Sequence, residues 1–420
     1  MSDYQQQRQN IQLTENDWRT LLRNGGIQAL IQKQKDIENE YKNQPVLIAL
    51  IGEAGCGKST LIRRFMGMSP DDEGEPKIGE CVSECTKEGR EYRKSGTSVV
   101  YVDLPGVGST TSSCAFTTPK EQINYCKLYR LHTVDYFVLL SHNKFTEQDK
   151  RLAKYITDEL KKKFVFVQTK IDLLRLEGGN KLLEKRAGFD AVKAKIREQL
   201  QTQLAADNVH KIFLVSNQFI ESESDGKTIY EYDQSPDYEF DRLWEAIQSD
   251  MISEDGLGAE KGRAFVLATG AVCESAIRTA ANSLRKQKWG WATLSGVIGA
   301  VPIPGVSISC DIAIIVTKAT DYFFLFGLNP INFMGPGTAK EKLTNLIQAL
   351  YASLGVRASA ILGTMLGISA GEESVKAVPV VGVAIGSFVG AGVSFASTCV
   401  ILGQVIDFCE KEALKLIHRN

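Results

Sequence analysis

The sequence predicts an α/β domain with a parallel sheet, followed by a separate all-α region. Between residues 45 and 252, short continuous apolar runs alternate with helical patterns, as expected for parallel strands that are covered on both faces. From Arg263 onward the strand signals fade, and long segments rich in Ala, Gly, Val and Ile follow. A glycine-rich turn directly behind the first apolar run is the third observation, and it indicates phosphate-binding chemistry.

Five apolar runs form the predicted sheet. They are Val46–Ile51, Ser98–Asp103, Tyr136–Ser141, Phe164–Thr169 and Lys211–Ser216. Each is short and continuous, which is typical of strands buried on both faces. The later segment Glu221–Asp237 is acidic and polar, and we expect it to form a surface loop.

The first 44 residues are predicted to be helical. Gly25 and Gly26 break the run, and the apolar residues of the second helix share one face. Alone this helix could not bury that face, so we expect it to pack with the C-terminal helices. The predicted domains are an N-terminal helical segment (1–44), a phosphate-binding domain (45–252) and a C-terminal helical domain (253–420), with a linker at Ser253–Gly262.

Two long segments of the helical region carry no formal charge. Trp289–Cys310 and Ala377–Ile406 are each long enough to span a membrane. However, Pro302 and Pro304 cut the first segment into shorter pieces, and the second is rich in Gly and Ser. We therefore favour two buried helical hairpins, with membrane insertion as the alternative.

Composition excludes several classes of function and site. The 420 residues carry a formal net charge of −1, so charge gives no reason to expect nucleic-acid binding. The 9 cysteines are scattered and odd in number, which is typical of reduced thiols in a cytoplasmic protein. Cys81 and Cys85 have no second pair at metal-ligand spacing, so we expect no zinc site.

The segment from Gly52 to Ser59 reads GEAGCGKS and directly follows the first strand. This is the phosphate-binding loop (P-loop) pattern in its strand-then-helix context. Its glycines permit a tight turn whose amides point at a polyphosphate, and the next helix adds its positive dipole end. Lys58 would reach the β- and γ-phosphates, and the Ser59 hydroxyl would ligate Mg²⁺. The predicted phosphate contacts are Gly52, Glu53, Ala54, Gly55, Cys56, Gly57, Lys58, Ser59 and Thr60.

The second predicted strand ends in the sequence DLPG, which runs from Asp103 to Gly106. A carboxylate at this strand end suits contact with Mg²⁺, so Asp103 joins Ser59 as a candidate metal residue. The backbone amide of Gly106 would sense a γ-phosphate.

Residues at two further strand ends predict which base is bound. The fourth strand runs into TKID, which supplies Thr169, Lys170 and Asp172. The carboxylate of Asp172 would accept hydrogen bonds from guanine N1–H and the exocyclic amine, whereas adenine would leave it desolvated and unpaired. The usual guanine motif has Asn where this chain has Thr169. After the fifth strand, a backbone amide of Ser216-Asn217 would meet guanine O6.

Together these motifs resemble the immunity-related GTPases, the interferon-inducible, dynamin-like group. The resemblance spans nearly the whole chain, including the helical region with its paired Pro/Gly turns. The lysine in the P-loop is similar to the effector (GKS-type) class of that family. The resemblance rests on GEAGCGKS, DLPGVGST (Asp103–Thr110), KFTEQDKRLAKYI (Lys144–Ile156), TKID, Ser216-Asn217 and FDRLWEAI (Phe240–Ile247).

The resemblance implies a Ras-like P-loop GTPase domain, with helices from both chain ends forming one helical domain. It also implies nucleotide-dependent homodimers and oligomers with opposed nucleotide faces, acting at intracellular membranes in cell-autonomous defence. A switch-loop threonine of the family approaches Mg²⁺ and γ-phosphate, which corresponds to Thr86 in SECTKE. Glu84 matches a position implicated in hydrolysis. The family lacks the water-positioning glutamine after DxxG, and Val107 stands there in this chain.

The leading hypothesis is an enzyme that hydrolyses GTP to GDP and phosphate with Mg²⁺, slowly as a monomer and faster after self-association. We expect it to be cytoplasmic, with peripheral association to endomembranes or vacuoles. One alternative is a nucleotide-binding pseudo-GTPase. Another is a GTPase inserted in a membrane through the two uncharged segments, and an ATPase is a third.

Overall fold

The computed structural model describes residues 15–39, 45–69, 72, 89–94, 96–108, 114–142, 145–176, 179–204, 212–224, 227–235, 237–253, 259–299, 306–354 and 389–417. The chain divides into two compact units. One contains the sheet and comprises Tyr41–Ala280 and Leu414–Asn420, and the other is helical and comprises Met1–Glu40 and Ala281–Ala413.

In chain order the described elements are α1 (Glu15–Asn39), β1 (Val46–Gly52), α2 (Lys58–Met66), β2 (Arg90–Arg93), β3 (Val99–Pro105), α3 (Pro119–Leu128), β4 (Tyr136–Ser141), α4 (Glu147–Asp158), β5 (Lys163–Gln168), α5 (Ile171–Leu176), α6 (Gly179–Leu204), β6 (Ile212–Leu214), β7 (Phe219–Ser224), β8 (Lys227–Tyr232), α7 (Phe240–Ile252), α8 (Ala259–Ala268), α9 (Glu274–Gly299), α10 (Val306–Leu325), α11 (Ile331–Met334), α12 (Ala339–Leu354) and α13 (Val389–Ile417).

The main sheet has six strands in the order β2-β3-β1-β4-β5-β6. Five strands are parallel, and only the edge strand β2 runs antiparallel to its neighbour. Strands β1, β3 and β4 are buried almost throughout, because helices cover both faces of the sheet. This is the Ras-like α/β arrangement, in which the carboxyl ends of the parallel strands share one edge where ligands bind.

All five strands predicted from the sequence are present; the bounds of β4 match the prediction, and those of the other four differ by one or two residues. The edge strand β2 was not predicted, because its sequence REYR is polar and mostly exposed. The prediction of a surface loop at Glu221–Asp237 is wrong. Most of it is an antiparallel hairpin, in which β7 pairs with β8 from Phe219 opposite Tyr232 to Ser224 opposite Lys227.

The sheet unit has a core on each face of the sheet. On one face, aromatic side chains of α2, α7 and α8 pack together. The ring centroid of Phe65 lies 5.3 Å from that of Phe240 and 6.5 Å from that of Phe265. The buried indole of Trp244 stacks on Phe265 and donates a hydrogen bond to Thr269. The sheet unit therefore extends to Ala280, beyond the domain boundary predicted at residue 252.

The predicted linker at Ser253–Gly262 is shorter than expected. Helix α7 ends at Ile252 and α8 already begins at Ala259, while residues 254–258 lie outside the described part of the chain. Gly262 lies within α8. A Cβ at this position would lie only 2.6 Å from Cγ1 of Ile252, the last residue of α7. Close packing of the two helices thus accounts for this glycine.

The helical unit contains the two uncharged segments. Helix α9 ends at Gly299 and α10 begins at Val306, and the predicted break at Pro302 and Pro304 lies outside the described residues. The expected second hairpin at Ala377–Ile406 is described only from Val389, where α13 begins. Among the described helices, none combines the length and apolar character that crossing a membrane requires.

Candidate nucleotide-binding site

The P-loop connects the end of β1 at Gly52 to the start of α2 at Lys58. Two of its residues, Gly55 and Gly57, have φ angles of 75° and 92°. Glycine adopts this left-handed conformation without the steric cost that a Cβ brings. The Gly57 carbonyl accepts the first hydrogen bond of α2 from Leu61 N at 3.0 Å, so the turn passes directly into the helix. The free amides at this helix N-terminus suit an anion.

Backbone-to-backbone packing explains two more glycines of the site. A Cβ at Gly52 would lie 2.4 Å from the carbonyl oxygen of Leu140 in β4. A Cβ at Gly106 would lie 2.8 Å from the backbone nitrogen of Glu53. The DLPG turn and the P-loop therefore touch through their main chains, which leaves room at neither position for a side chain.

The P-loop lysine and serine lie against the DLPG aspartate. Lys58 Nζ donates hydrogen bonds to the carbonyl oxygens of Gly52 (2.8 Å) and Glu53 (3.0 Å), and it is 3.9 Å from Asp103 Oδ1. Ser59 Oγ is 3.5 Å from Asp103 Oδ2. The structure thus brings together Lys58, Ser59 and Asp103, three of the side chains that the sequence assigned to phosphate and metal.

The Asp103 carboxyl is almost fully buried. Burial raises its pKa, and the charge of Lys58, the hydrogen bond from Ser59 and the charge of Arg90 oppose that rise. Its Oδ1 atom accepts no hydrogen bond from the described residues. A buried carboxylate oxygen without a donor, beside a serine hydroxyl, fits the oxygen-ligand chemistry of Mg²⁺.

Two predicted catalytic residues cannot be placed. Thr86 and Glu84 lie outside the described residues, and so do Cys81 and Cys85. Their roles remain predictions. Val107, by contrast, is described, and it is buried in the hydrophobic core of the sheet unit.

Thr169 links the end of β5 to the P-loop. Its hydroxyl lies 2.6 Å from the carbonyl oxygen of Cys56, to which it donates, and 3.3 Å from that of Ser141. Its backbone nitrogen also donates to Ser141 at 2.8 Å. Thr169 therefore holds the P-loop against the neighbouring strand ends at the position where the usual motif has Asn. The Cys56 thiol beside it is fully buried, and burial raises its pKa to about 11.

The predicted base-binding residues meet at the ends of β5 and β6. Ser216 Oγ donates a hydrogen bond of 2.6 Å to Asp172 Oδ1 and accepts one from the backbone nitrogen of Gln218. Both polar side-chain atoms of Asn217 are buried, and neither forms a hydrogen bond with the described residues. The side-chain nitrogen of Asn217 would lie 4.0 Å from a Cβ added at Gly57. The TKID turn follows the end of β5 at Gln168, and within it Lys170 has a φ of 56°, the left-handed conformation.

One functional candidate was missed by the sequence reasoning. Arg64, in the helix that follows the P-loop, is buried and donates to the carbonyl oxygen of Ser216 at 2.7 Å. The only local signal is two consecutive arginines in the apolar helix LIRRF. Nothing in the sequence connects them to a residue 152 positions away.

The comparison with protein families agrees with this geometry. Residues 12–334 match the model of the family described as Interferon-inducible GTPase (IIGP). The chain belongs to the interferon-inducible GTPase family. The match includes the P-loop, the DLPG and TKID turns and the Ser216-Asn217 loop.

Several curated members of the interferon-inducible GTPases are similar to this chain. Interferon-gamma-inducible GTPase 10 of Mus musculus is 25% identical over 406 residues, covering 95% of this chain and 87% of the relative. T-cell-specific guanine nucleotide triphosphate-binding protein 2 of Mus musculus is 26% identical, covering 68% of this chain and 62% of the relative. Interferon-inducible GTPase 5 of Rattus norvegicus is 28% identical, and the match covers 74% of this chain and 61% of the relative. The chain thus matches less than two thirds of the length of the last two.

Among solved structures, this chain is similar to the G domain of the FeoB iron transporter of T. maritima. The identity is 21%, the TM-score is 0.22, and the match covers 41% of this chain and 88% of that one. Aquifex aeolicus Era bound to GDP and AlF4⁻ is 15% identical with a TM-score of 0.26, and the match covers 60% of this chain and 68% of that one. At these TM-scores the family assignment depends on the sequence match and the site, not on these structures.

Proposed function

We propose that this chain binds GTP with Mg²⁺ and hydrolyses it to GDP and phosphate. The observation that carries the proposal is the convergence of three motifs at one edge of a parallel sheet. Lys58 and Ser59 lie against Asp103, and Thr169 joins the P-loop to the turn that bears Asp172. Family membership supports the same activity.

Each polar group has a role in this proposal. The P-loop amides and Lys58 bind the β- and γ-phosphates, with Nζ exchanging its carbonyl partners for phosphate oxygens. Ser59 and Asp103, with Thr86 from the switch loop, would hold the Mg²⁺ ion. When bound, that ion would offset the negative charge of the phosphates.

Base selection falls to the Asp172 carboxylate. It accepts from N1–H and the exocyclic amine of guanine, two donors that adenine does not present there. Ser216 donates a hydrogen bond to one oxygen of this carboxylate. The two polar side-chain atoms of Asn217 are buried without a hydrogen bond among the described residues, so they are available to a bound nucleotide. These contacts favour GTP over ATP.

Hydrolysis by a single molecule should be slow. The residue after DxxG is Val107, which is buried in the core and has no group to orient water. Added charge stabilisation and water positioning are worth roughly 10³ or more in rate in related phosphoryl transfers. We propose that a second copy of this chain supplies them across opposed nucleotide faces, by ordering Glu84 and Thr86.

The test is GTP and ATP turnover over a protein concentration series, with light scattering followed in parallel. We expect GTP turnover per molecule to rise with concentration as scattering increases, and ATP to be a poor substrate. Lys58→Ala is the inactive control. Turnover per molecule that stays flat from nanomolar to tens of micromolar protein would contradict activation by self-association.

A nucleotide-binding pseudo-GTPase is the second candidate, and the buried Val107 is the observation that favours it. Single-turnover measurements with stoichiometrically bound GTP separate the two candidates. A GTPase converts the bound GTP at an accelerating rate as protein concentration rises. A pseudo-GTPase retains bound GTP at every concentration.

We also propose that the protein is cytoplasmic, associates peripherally with endomembranes or vacuoles, and acts in cell-autonomous defence. Family membership supports this proposal. Extraction of cell membranes with carbonate at high pH tests the mode of association. Release into the supernatant is expected of peripheral attachment, whereas retention in the pellet would favour the membrane-inserted alternative.

A further inference from the structure

Arg64 is a fully buried arginine two turns into α2, the helix that begins at the P-loop lysine. Its guanidinium donates to the carbonyl oxygens of Ser216 (2.7 Å) and Asp233 (3.1 Å) and to the side-chain oxygen of Gln234 (3.1 Å). Its acceptors are therefore two main-chain carbonyls and one amide oxygen. One arginine thus ties the P-loop helix to two later segments of the chain.

The first of these segments is the base-binding loop. The carbonyl of Ser216 accepts from Arg64, while its hydroxyl donates to Asp172. Ser216 itself is wholly buried. A displacement of its backbone therefore moves both the hydroxyl that orients the Asp172 carboxylate and the adjoining amide of Asn217.

The second segment lies at the base of the β7–β8 hairpin. Asp233 follows β8 directly, and its carboxylate accepts from the side-chain nitrogen of Gln218 at 2.8 Å. Gln218 in turn donates its backbone N–H to Ser216 Oγ. Arg64 therefore closes a ring of hydrogen bonds that includes the base-binding loop and both ends of the hairpin.

The chemistry of the site favours orientation over packing as the role of Arg64. Its guanidinium carbon lies 3.8 Å from the ring centroid of Phe240. Burial lowers the pKa of Arg64 to about 10, which still leaves it charged at neutral pH. An apolar side chain would fill this space without the desolvation penalty of a buried charge. A planar guanidinium fork, by contrast, has several N–H donors at fixed angles, so it holds its acceptors in defined directions.

We propose that Arg64 is a positioning residue for guanine recognition, holding Ser216 so that the Asp172 carboxylate meets both the N1–H and the exocyclic amine of the base. This inference rests on the proposed guanine-nucleotide binding. It predicts that Arg64 contributes to discrimination between guanine and hypoxanthine, a base that keeps N1–H and O6 but lacks the exocyclic amine.

The experiment measures the affinities of the full-length protein for GDP and for inosine diphosphate with Mg²⁺, in wild type and three variants. Arg64→Met retains much of the side-chain length without the charge, and Arg64→Lys retains the charge without the fork. Arg63→Met is the matched control, because Arg63 is equally buried on the same helix, where it donates to the carbonyls of Ser69 and Asp72 and contacts Tyr232 of β8.

We expect Arg64→Met to lower the GDP-to-IDP affinity ratio by about fivefold or more, as for the loss of a charged hydrogen bond. Arg64→Lys should give an intermediate ratio, and Arg63→Met should leave the ratio unchanged even if it lowers stability. If Arg64→Met does not fold, Arg64→Lys decides alone. A wild-type ratio in the folded Arg64 variants would overturn the inference.

Ser216→Ala in combination with Arg64→Lys shows whether the effect passes through the serine. If Arg64 acts by placing Ser216, the two changes lower the affinity ratio by less than the product of their separate effects. If the double variant instead lowers the affinity ratio by the full product of the two separate effects, Arg64 does not act through Ser216. If wild type binds neither diphosphate, the proposed function fails, which is a different result from an unchanged ratio.

Discussion

In the proposed site, selection of the base rests on one carboxylate, that of Asp172. It is nearly buried and receives a short hydrogen bond from Ser216, so its orientation is fixed before a base arrives. Preorganised polar groups discriminate strongly, because a wrong base leaves them desolvated and unpaired.

Asp172→Asn should therefore change the preferred base. An amide in this place can donate to the C2 carbonyl of xanthine, whereas it loses the two bonds that the carboxylate accepts from guanine. We expect weakened GDP binding and improved binding of xanthosine diphosphate in competition measurements. Asp190→Asn, at an exposed aspartate of α6, serves as the control. Unchanged guanine selectivity would refute the assignment of Asp172.

Gly106 is the second single residue that the site requires. Because an added Cβ would lie 2.8 Å from the backbone of the P-loop, Gly106→Ala must displace either that loop or the DLPG turn. We expect GTP affinity to fall by about tenfold or more, as when several phosphate contacts are misplaced.

Gly96→Ala is the matched control for this substitution. Gly96 has a φ of 77° and nothing within 4 Å of an added Cβ, so its replacement adds strain away from the site. That variant should lose stability, measured as the midpoint of thermal unfolding, without losing nucleotide affinity. Equal GTP binding by both variants would show that the close approach at Gly106 is not needed.

The junction between β5 and the P-loop depends on the Thr169 hydroxyl. Thr169→Val keeps the shape of the side chain but leaves the buried carbonyl of Cys56 without its donor. Loss of such a hydrogen bond costs about 1–3 kcal/mol. We expect a lower free energy of unfolding in denaturant titrations, together with weaker GDP binding.

Thr157→Val provides the comparison, because Thr157 donates to the carbonyl of Ala153 one turn earlier in helix α4. It should change neither quantity by a comparable amount. If Thr169→Val behaves like Thr157→Val in both measurements, then the hydroxyl does not hold the P-loop.

The strands that the sequence predicts well are those whose residues are apolar on both faces. Strands β1, β3 and β4 form continuous buried runs, and their turns carry recognisable motifs. The edge strand β2 and the β7–β8 hairpin could not be predicted in the same way. REYR is mostly exposed, and so are the side chains of FIESES that the structure describes, while both strands are paired through their backbones. A hydrophobic pattern therefore carries little signal in these segments.

The motif residues of the site were predictable because the chemistry of phosphate and base fixes both residue type and spacing. The contacts that support them were not predictable. Arg64 reaches Ser216 and Thr169 reaches Cys56 across 152 and 113 positions of the chain, and such pairings exist only after folding. Local pattern therefore indicates the candidate site, whereas tertiary packing supplies the contacts between its residues.

In the whole molecule, all described residues of the predicted nucleotide site belong to the sheet unit. The helical unit contributes buried polar contacts of its own, such as the hydrogen bond of 2.6 Å from Ser295 to Asp311. A buried carboxylate with a hydroxyl partner explains how α10 accommodates a charged residue on an apolar helix. The uncharged segments are therefore compatible with the interior of a helical unit.

Binding of a guanine nucleotide is the property on which the other proposals depend. Isothermal titration calorimetry of folded full-length protein with GTP, GDP and ATP, each with Mg²⁺, measures it directly, with Lys58→Ala as the control. We expect saturable heat at one site per chain for GTP and GDP, weak or no heat for ATP, and none for Lys58→Ala. No heat with either guanine nucleotide, or equal affinity for ATP and GTP, would contradict a guanine-specific P-loop in this chain.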